Sequence, residues 1–385
     1  MVAQSLSWVR IHYPQHIIKR RLIQLSCACD IPSHAYQYAF ALNPDWPNFF
    51  SPSANIWSYL TKVVETFGLR KFMHFNSEIT RAEWQESSAT WKVWISQTDI
   101  NGKVTEKIDE CDVLLHATGV LNKFKWPAIK GLEKFKGKMI HTARWPEDYQ
   151  AEAWKGERVG VIGSGASSIQ TVPTMQPHVK SMDIFIRTPV WFVEMAGNNG
   201  ANHPYTEEQQ REFRENPEKL LEHARDLEGK INSAFDMFVK GSEIQEQVKQ
   251  YFADRTKGMI KDKELGEKIT PSWSLGCRRI TPGDPYIMAI QEPNVTCHFT
   301  EVVEVTENGL VGKNGESCEV DTIVCATGFD TSFKPNFPII GRNGVVLSEK
   351  WAKTPEAYLG LAVPDMPNFF TFVSGLISPS MQAQV

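Results

Sequence analysis

The sequence predicts an α/β fold organised around a nucleotide-binding parallel sheet. Three observations carry this. The apolar run Arg158–Ile162 opens into the turn Gly163-Ser164-Gly165-Ala166-Ser167-Ser168, then a helical pattern, then a second strand over 181–187. A short strand running into Ala-Thr-Gly occurs twice, at 111–116 and at 321–325, which predicts two crossings between domains. Residues 205–270 are rich in Glu, Lys and Gln and poor in Gly, and read as a helical insertion with a solvated charged face, broken at Pro217.

The other elements follow in order. Residues 27–60 carry turn signals and aromatics. Ile56, Leu60, Val63, Val64 and Phe67 repeat at helical spacing and stop at Gly68. Residues 90–96 alternate with period two, and the polar turn at 99–102 predicts a hairpin. From Leu275 the chain returns to strands and turns.

Composition bounds the function. A chain of 385 residues, 42% hydrophobic and 22% charged, is globular rather than disordered. The net charge of −4 comes with no strong basic patch, so no nucleic-acid partner is expected. No apolar run reaches the roughly 20 residues that a membrane-spanning helix needs. Seven scattered cysteines (27, 29, 111, 277, 297, 318 and 325) read as reduced thiols of a soluble, cytoplasmic protein. Cys27 and Cys29 form a C-x-C pair with no second pair at ligand spacing, so no metal is expected there.

The Gly turn is where the chemistry starts. A first Gly permits the tight turn, a second lets backbone approach a pyrophosphate, and the helix N-terminus supplies N–H donors. Gly163 and Gly165 fit, and Ser168 replaces the third Gly with another small residue. An acidic residue at the end of the next strand would select NAD. Here Arg187 and Thr188 stand, and a guanidinium suits a 2′-phosphate, which favours NADP(H). A further constellation is Phe135, Gly137, His141 and Trp145. From spacing alone, His141 and Trp145 share a face of a helix or bracket a hinge in a loop. A structural histidine is the commoner outcome.

The segment from Phe135 to Pro146 resembles the F-x-G-x-x-x-H-x-x-x-W-[PD] fingerprint of type I Baeyer–Villiger monooxygenases, FAD-binding enzymes. The resemblance extends to the segment from Cys27 to Tyr36, to both Ala-Thr-Gly segments, to Ile186-Arg187-Thr188-Pro189 and to Gly276-Cys277-Arg278-Arg279, and looks most like the fungal secondary-metabolism branch. It implies two dinucleotide-binding, Rossmann-like domains of a flavoprotein monooxygenase, with FAD and NADP(H). NADPH reduces the flavin, and one oxygen from O2 is inserted beside a ketone to give an ester or lactone. Arg279 matches the catalytic arginine, with Arg278 beside it. Asp30 matches its acidic partner near the flavin. Tyr36 and Ile79 match flavin-contacting positions, and His141 a hinge residue rather than a proton-transfer group.

The sequence departs from that pattern at both ends. Residues 1–26 contain no Gly, Ser26 stands where a Gly is usual, and the chain ends soon after Asn368-Phe369-Phe370. The expectation is therefore an incomplete flavin domain. Its first part is 1–140 and its second 331–385. The NADP domain spans 150–200 and 274–330, interrupted by the helices of 201–273. The substrate is expected to be a small ketone of a fungal polyketide or mycotoxin pathway, aflatoxin- or sterigmatocystin-type. Two alternatives stay open: a truncated, non-catalytic remnant binding NADP(H) at most, or an N- or S-oxygenating flavin enzyme.

Overall fold

A computed structural model of the chain describes residues 27–198 and 201–372, together with the backbone of the short strand Ile11–Tyr13. Apart from that strand, the Gly-free N-terminal stretch, Ser26 and the C-terminal stretch from 373 lie outside the described residues.

Five parallel strands form the central sheet, in the spatial order Val295–His298, Ser181–Phe185, Arg158–Ile162, Thr322–Cys325, Lys138–His141. Parallel sheets are stable when both faces are covered, and this one is. Val159, Val161, Met182, Ile184 and Val324 face a core completed by the helices Ala166–Met175 and Asp284–Ala289. Ile162, Phe185, Ile323 and Cys325 face a second core closed by an antiparallel meander of Val302–Val305, Gly309–Gly312 and Ser317–Glu319. Thr322–Cys325 bonds to strands on both sides, so the sheet reaches back to Lys138, ahead of residue 150.

A second sheet carries the hairpin read from the sequence: Ser77–Gln85, Thr90–Thr98 and Val104–Cys111, with Ile339–Ile340 on its edge. Trp91, Val93 and Ile95 alternate into its core, and Trp91 donates its indole N–H to Pro367 O at 2.8 Å. The stretch 111–116 is not one strand. Cys111 ends the antiparallel sheet, and Leu114–His116 starts a separate parallel pair with Phe369–Thr371. Asp112 and Val113 make the transition, and both are exposed.

The charged region folds into helices Glu207–Glu215, Pro217–Ser233, Glu243–Gly258 and Lys263–Ile269. Pro217 starts the second helix, where its missing N–H costs nothing. A solvated face is only half of the outcome. Phe213, Leu220 and Leu227 are buried against Trp46, Phe49, Phe50 and Tyr59, and Phe252 against Trp191, Val193 and Leu275. Among the described residues no helix is long and apolar enough to cross a membrane.

Trp91 is fully buried and joins residues 276 apart in sequence. Trp91→Ala is expected to lower stability by about 3–5 kcal/mol, read as a lower urea midpoint. An unchanged midpoint would contradict this packing.

Candidate functional site

The Gly turn is built by the sheet beneath it. Gly163 follows the buried strand with φ +113°, and a Cβ there would lie 2.5 Å from Ala326 O, so backbone crowds the site where a side chain would go. Ser164 Oγ donates to Thr188 O at 2.8 Å, pinning the turn to the end of the next strand. Gly165 precedes the helix Ala166–Met175, and the space above its Cα is open to 4 Å. Helices leave their first N–H groups without intrahelical acceptors, so those of Ala166, Ser167 and Ser168 point into this space. Ser168 itself is fully buried, as a small residue replacing the third Gly must be.

Two cations converge nearby. Arg187 is exposed at the end of its strand. Arg278 holds its proton less tightly than usual, first because it is desolvated and second because Arg187 stands close. An anion placed between two such like charges would pair with both and relieve their repulsion.

Arg279 makes a bidentate ion pair across 249 residues. Its Nε donates to Asp30 Oδ2 at 2.7 Å and a terminal nitrogen to Asp30 Oδ1 at 2.5 Å. The carboxylate is sheltered, while the guanidinium keeps its outer edge exposed. Burial works against the charge on Arg279, but the Asp30 hydrogen bonds and charge outweigh it and raise the pKa. The Tyr36 phenol stands beside this pair, with its pKa raised by burial and then by the neighbouring Cys29 and Asp30. Burial also pushes the Cys27 thiol up to about 11.

Both partners are held from outside the pair. The Asp30 segment is tied to the Gly-turn helix, because Ala28 N–H donates to Gln170 Oε1 at 2.8 Å. It is also gripped by the helical insertion. His34 is buried among Tyr205, Phe213 and His223, with ring centroids 4.8, 5.2 and 4.8 Å away and neither nitrogen hydrogen-bonded. On the Arg279 side, the buried Gln245 donates to Leu275 O at 3.1 Å and accepts from Gly241 N–H at 3.0 Å. Gly276, with φ +87°, lies so near Phe238 that a Cβ would come within 2.8 Å of its ring. Gln170 and Gln245 were not singled out from the sequence, and nothing in their spacing marks them; His34 lies within the Cys27–Tyr36 segment of the resemblance but had no role assigned.

The fingerprint residues divide between two tasks. His141 ends a strand and begins the turn Thr142–Arg144, so the shared helix face does not exist. Its Nδ1 accepts from Ala143 N–H at 3.1 Å, which leaves the proton on Nε2, facing Thr327 Oγ1 at 3.3 Å. Burial takes its pKa down to about 4, so the ring is neutral at physiological pH. Thr327 belongs to the second Ala-Thr-Gly segment, whose Ala326 backs Gly163. Trp145 points into the core, tilted against Tyr149 and edge-to-face with Trp154, and donates to Tyr149 O at 2.7 Å. Gly137 is forced by backbone, since a Cβ would lie 2.2 Å from Asp321 O, and Phe135 packs under the sheet. Ile79 sits in the antiparallel sheet, in a different core from the Asp30 segment.

Comparisons with known proteins agree with this layout. The family model for flavin-binding monooxygenase-like proteins (FMO-like) matches residues 23–260. A FAD-binding monooxygenase, moxY, of Dothistroma septosporum is 52% identical over 369 residues, 95% of this chain and 57% of the relative. A Baeyer–Villiger monooxygenase of Streptomyces coelicolor is 37% identical over 92% of this chain and 66% of its own length. The chain thus spans under two thirds of both relatives. A steroid monooxygenase bound to NADP superposes with a TM-score of 0.79 at 25% identity, covering 97% of this chain and 78% of that one.

The burial of His34 predicts an acid sensitivity. Desolvation holds its pKa at about 3 when folded, against 6.5 in the unfolded chain. Between these values the unfolded chain binds more protons, so stability is full above about 6.5 and falls as pH drops toward 3. At pH 5 the loss is about 2 kcal/mol. His34→Phe should lose less stability than the wild type between pH 7 and pH 5 in urea titrations. Equal losses would contradict the assignment.

Proposed function

The chain belongs to the flavin-binding monooxygenase-like family, and on that premise we propose that it acts as an FAD- and NADPH-dependent Baeyer–Villiger monooxygenase that inserts one oxygen of O2 beside a ketone to give an ester or lactone. The observation that carries the reading is the bidentate Asp30–Arg279 pair, attached through Ala28 and Gln170 to the helix of the Gly turn. A fixed guanidinium with one edge free stabilises negative charge that develops beside it.

The described residues suit both cofactors to different extents. The Gly163 turn, the open space over Gly165 and the cations Arg187 and Arg278 fit a pyridine nucleotide with an additional phosphate. Asp30, Tyr36 and Arg279 fit the edge of a flavin. Among the described residues the strand–Gly turn–helix unit occurs once, and it is assigned here to NADP(H). The bound flavin and nucleotide supply the reducing equivalents and the oxygen-activating chemistry. In this reading the protein's own contribution is positional and electrostatic. Asp30 keeps Arg279 charged and aimed, and Arg278 and Arg187 hold phosphate. The neutral Nε2–H of His141 orients Thr327 beneath the Gly turn and transfers no proton. The substrate proposed is a ketone of fungal secondary metabolism, a reading that rests on the sequence resemblance; the 52% identity to an FAD-binding monooxygenase supports the flavin cofactor.

Two experiments test this. After reconstitution with FAD the protein should be yellow and oxidise NADPH with ketone-dependent product. Arg279→Ala should abolish product while keeping NADPH binding, with partial recovery in Arg279→Lys. Normal turnover by Arg279→Ala, or colourless protein, would overturn the reading. Separately, Gly165→Ala has room in the fold and should weaken NADPH binding without lowering the melting temperature. Gly163→Ala, which meets Ala326 O, should lower it. If Gly165→Ala binds NADPH normally, the nucleotide does not lie over this helix.

A further inference from the structure

On the far side of the nucleotide sheet, three strands bring together an imidazole, a carboxylate and a thiol that the proposed reaction does not use. Asp183 comes from the strand Ser181–Phe185, His298 from the adjoining edge strand, and Cys318 from the meander that covers this face. One ligand atom from each lies within 4.8 Å of the other two. Tetrahedral zinc, with bonds of about 2.0–2.3 Å to N, O and S, separates its ligand atoms by roughly 3.5 Å. Small side-chain adjustments would close this set around one ion.

The surroundings fit the same purpose. His298 Nε2 faces Asp183 Oδ1 at 2.8 Å, while Nδ1 faces Glu316 Oε2 at 2.8 Å. A metal-binding histidine characteristically gives its second ring N–H to a carboxylate, which fixes the ring and sharpens its donor atom. Phe185 stacks on the imidazole at 4.6 Å and 16°, so the ring orientation is set by packing as well. Cys318 pairs with Leu310 across the meander, and Asp183 lies mid-strand in register with Gly160. All three donors therefore sit on sheet strands. All are partly buried, with a route to solvent on the Glu316 side.

The geometry points to a site for a thiophilic divalent transition ion of the zinc class, held by Asp183, His298 and Cys318, with Glu316 as outer support and the fourth position left to water. The ion replaces the imidazole proton between His298 and Asp183 and the Cys318 thiol proton, and both go to solvent. It clips the meander onto the parallel sheet. This site stands apart from the proposed oxygenation and does not depend on it. Without an ion, the same residues form an ordinary imidazolium bridge between two carboxylates, and the experiment separates the two.

Tag-free protein is dialysed against zinc and assayed for bound metal, and cobalt is titrated into a second sample. The site predicts one retained equivalent of zinc, a melting temperature that rises with zinc and falls back with chelator, and a near-ultraviolet thiolate-to-cobalt absorption band. Cys318→Ser should remove the band and weaken zinc at least tenfold. Glu316→Gln should keep the band and weaken zinc about 10–100-fold. His298→Gln should abolish retention, and circular dichroism of each variant checks the fold. Absence of retained zinc and of the cobalt band in the wild type overturns the site and leaves the imidazolium bridge. Zinc held equally by Cys318→Ser and His298→Gln also overturns it, since the ion then sits elsewhere.

Discussion

A single ion pair, Asp30 with Arg279, joins an early segment of the described chain to one 249 residues further on. Its partners lie 249 residues apart, on irregular segments with no sheet of their own. Loops at such separations keep a fixed geometry only when other elements restrain them. Here the restraints come from three directions: Gln170 on the Gly-turn helix, Gln245 beneath the Arg279 segment, and the aromatic nest around His34. The ion pair is partly exposed, so it adds little stability by itself. Its consequence is orientation. It fixes a guanidinium with an exposed edge, and its Asp30 segment is tied to the helix that follows the Gly turn.

This gives the helical insertion a role that its composition conceals. Its exposed residues are charged, and ion pairs such as Lys230–Asp226 and Lys268–Glu264 lace the surface. Its inner residues pack against the segments that carry the two halves of the pair. Leu220, Ala224 and Leu227 are buried on the Asp30 side, and Phe252 and Gln245 on the Arg279 side. Arg255 adds a bridge between Glu194 and Asp284, linking the insertion to the segment after the second strand. The insertion is therefore a brace across the site.

Much of this was readable from residues alone, for definite reasons. Val159, Val161 and Ile162 form an apolar run too short for a helix, and Gly163 and Gly165 follow at once, so strand, turn and helix are all encoded locally. Arg187 was legible as a cation at a strand end. The pairing of Asp30 with Arg279 was legible through family resemblance, since no local rule connects residues that far apart. For His141 and Trp145 the spacing left a helix face and a loop both open, and the backbone turns between them, with Trp145 packed into the core. Gln245 was invisible, because a glutamine within a run of Glu and Lys looks solvated until a carbonyl is found above it. The Asp183, His298 and Cys318 cluster was equally hidden, as its donors come from three strands with no ligand spacing in the sequence.

We propose that the Gly163 turn and the Asp30–Arg279 pair serve one NADPH-dependent oxygenation of a ketone. Isotope tracing under oxygen-18 gas tests it most directly, with FAD-reconstituted protein, NADPH and a ketone panel analysed by mass spectrometry. The expected product is an ester or lactone carrying one oxygen-18 atom, the other appearing in water, with one NADPH consumed per product. Product without oxygen-18, or labelled oxygen found only on nitrogen or sulfur of offered substrates, would contradict it.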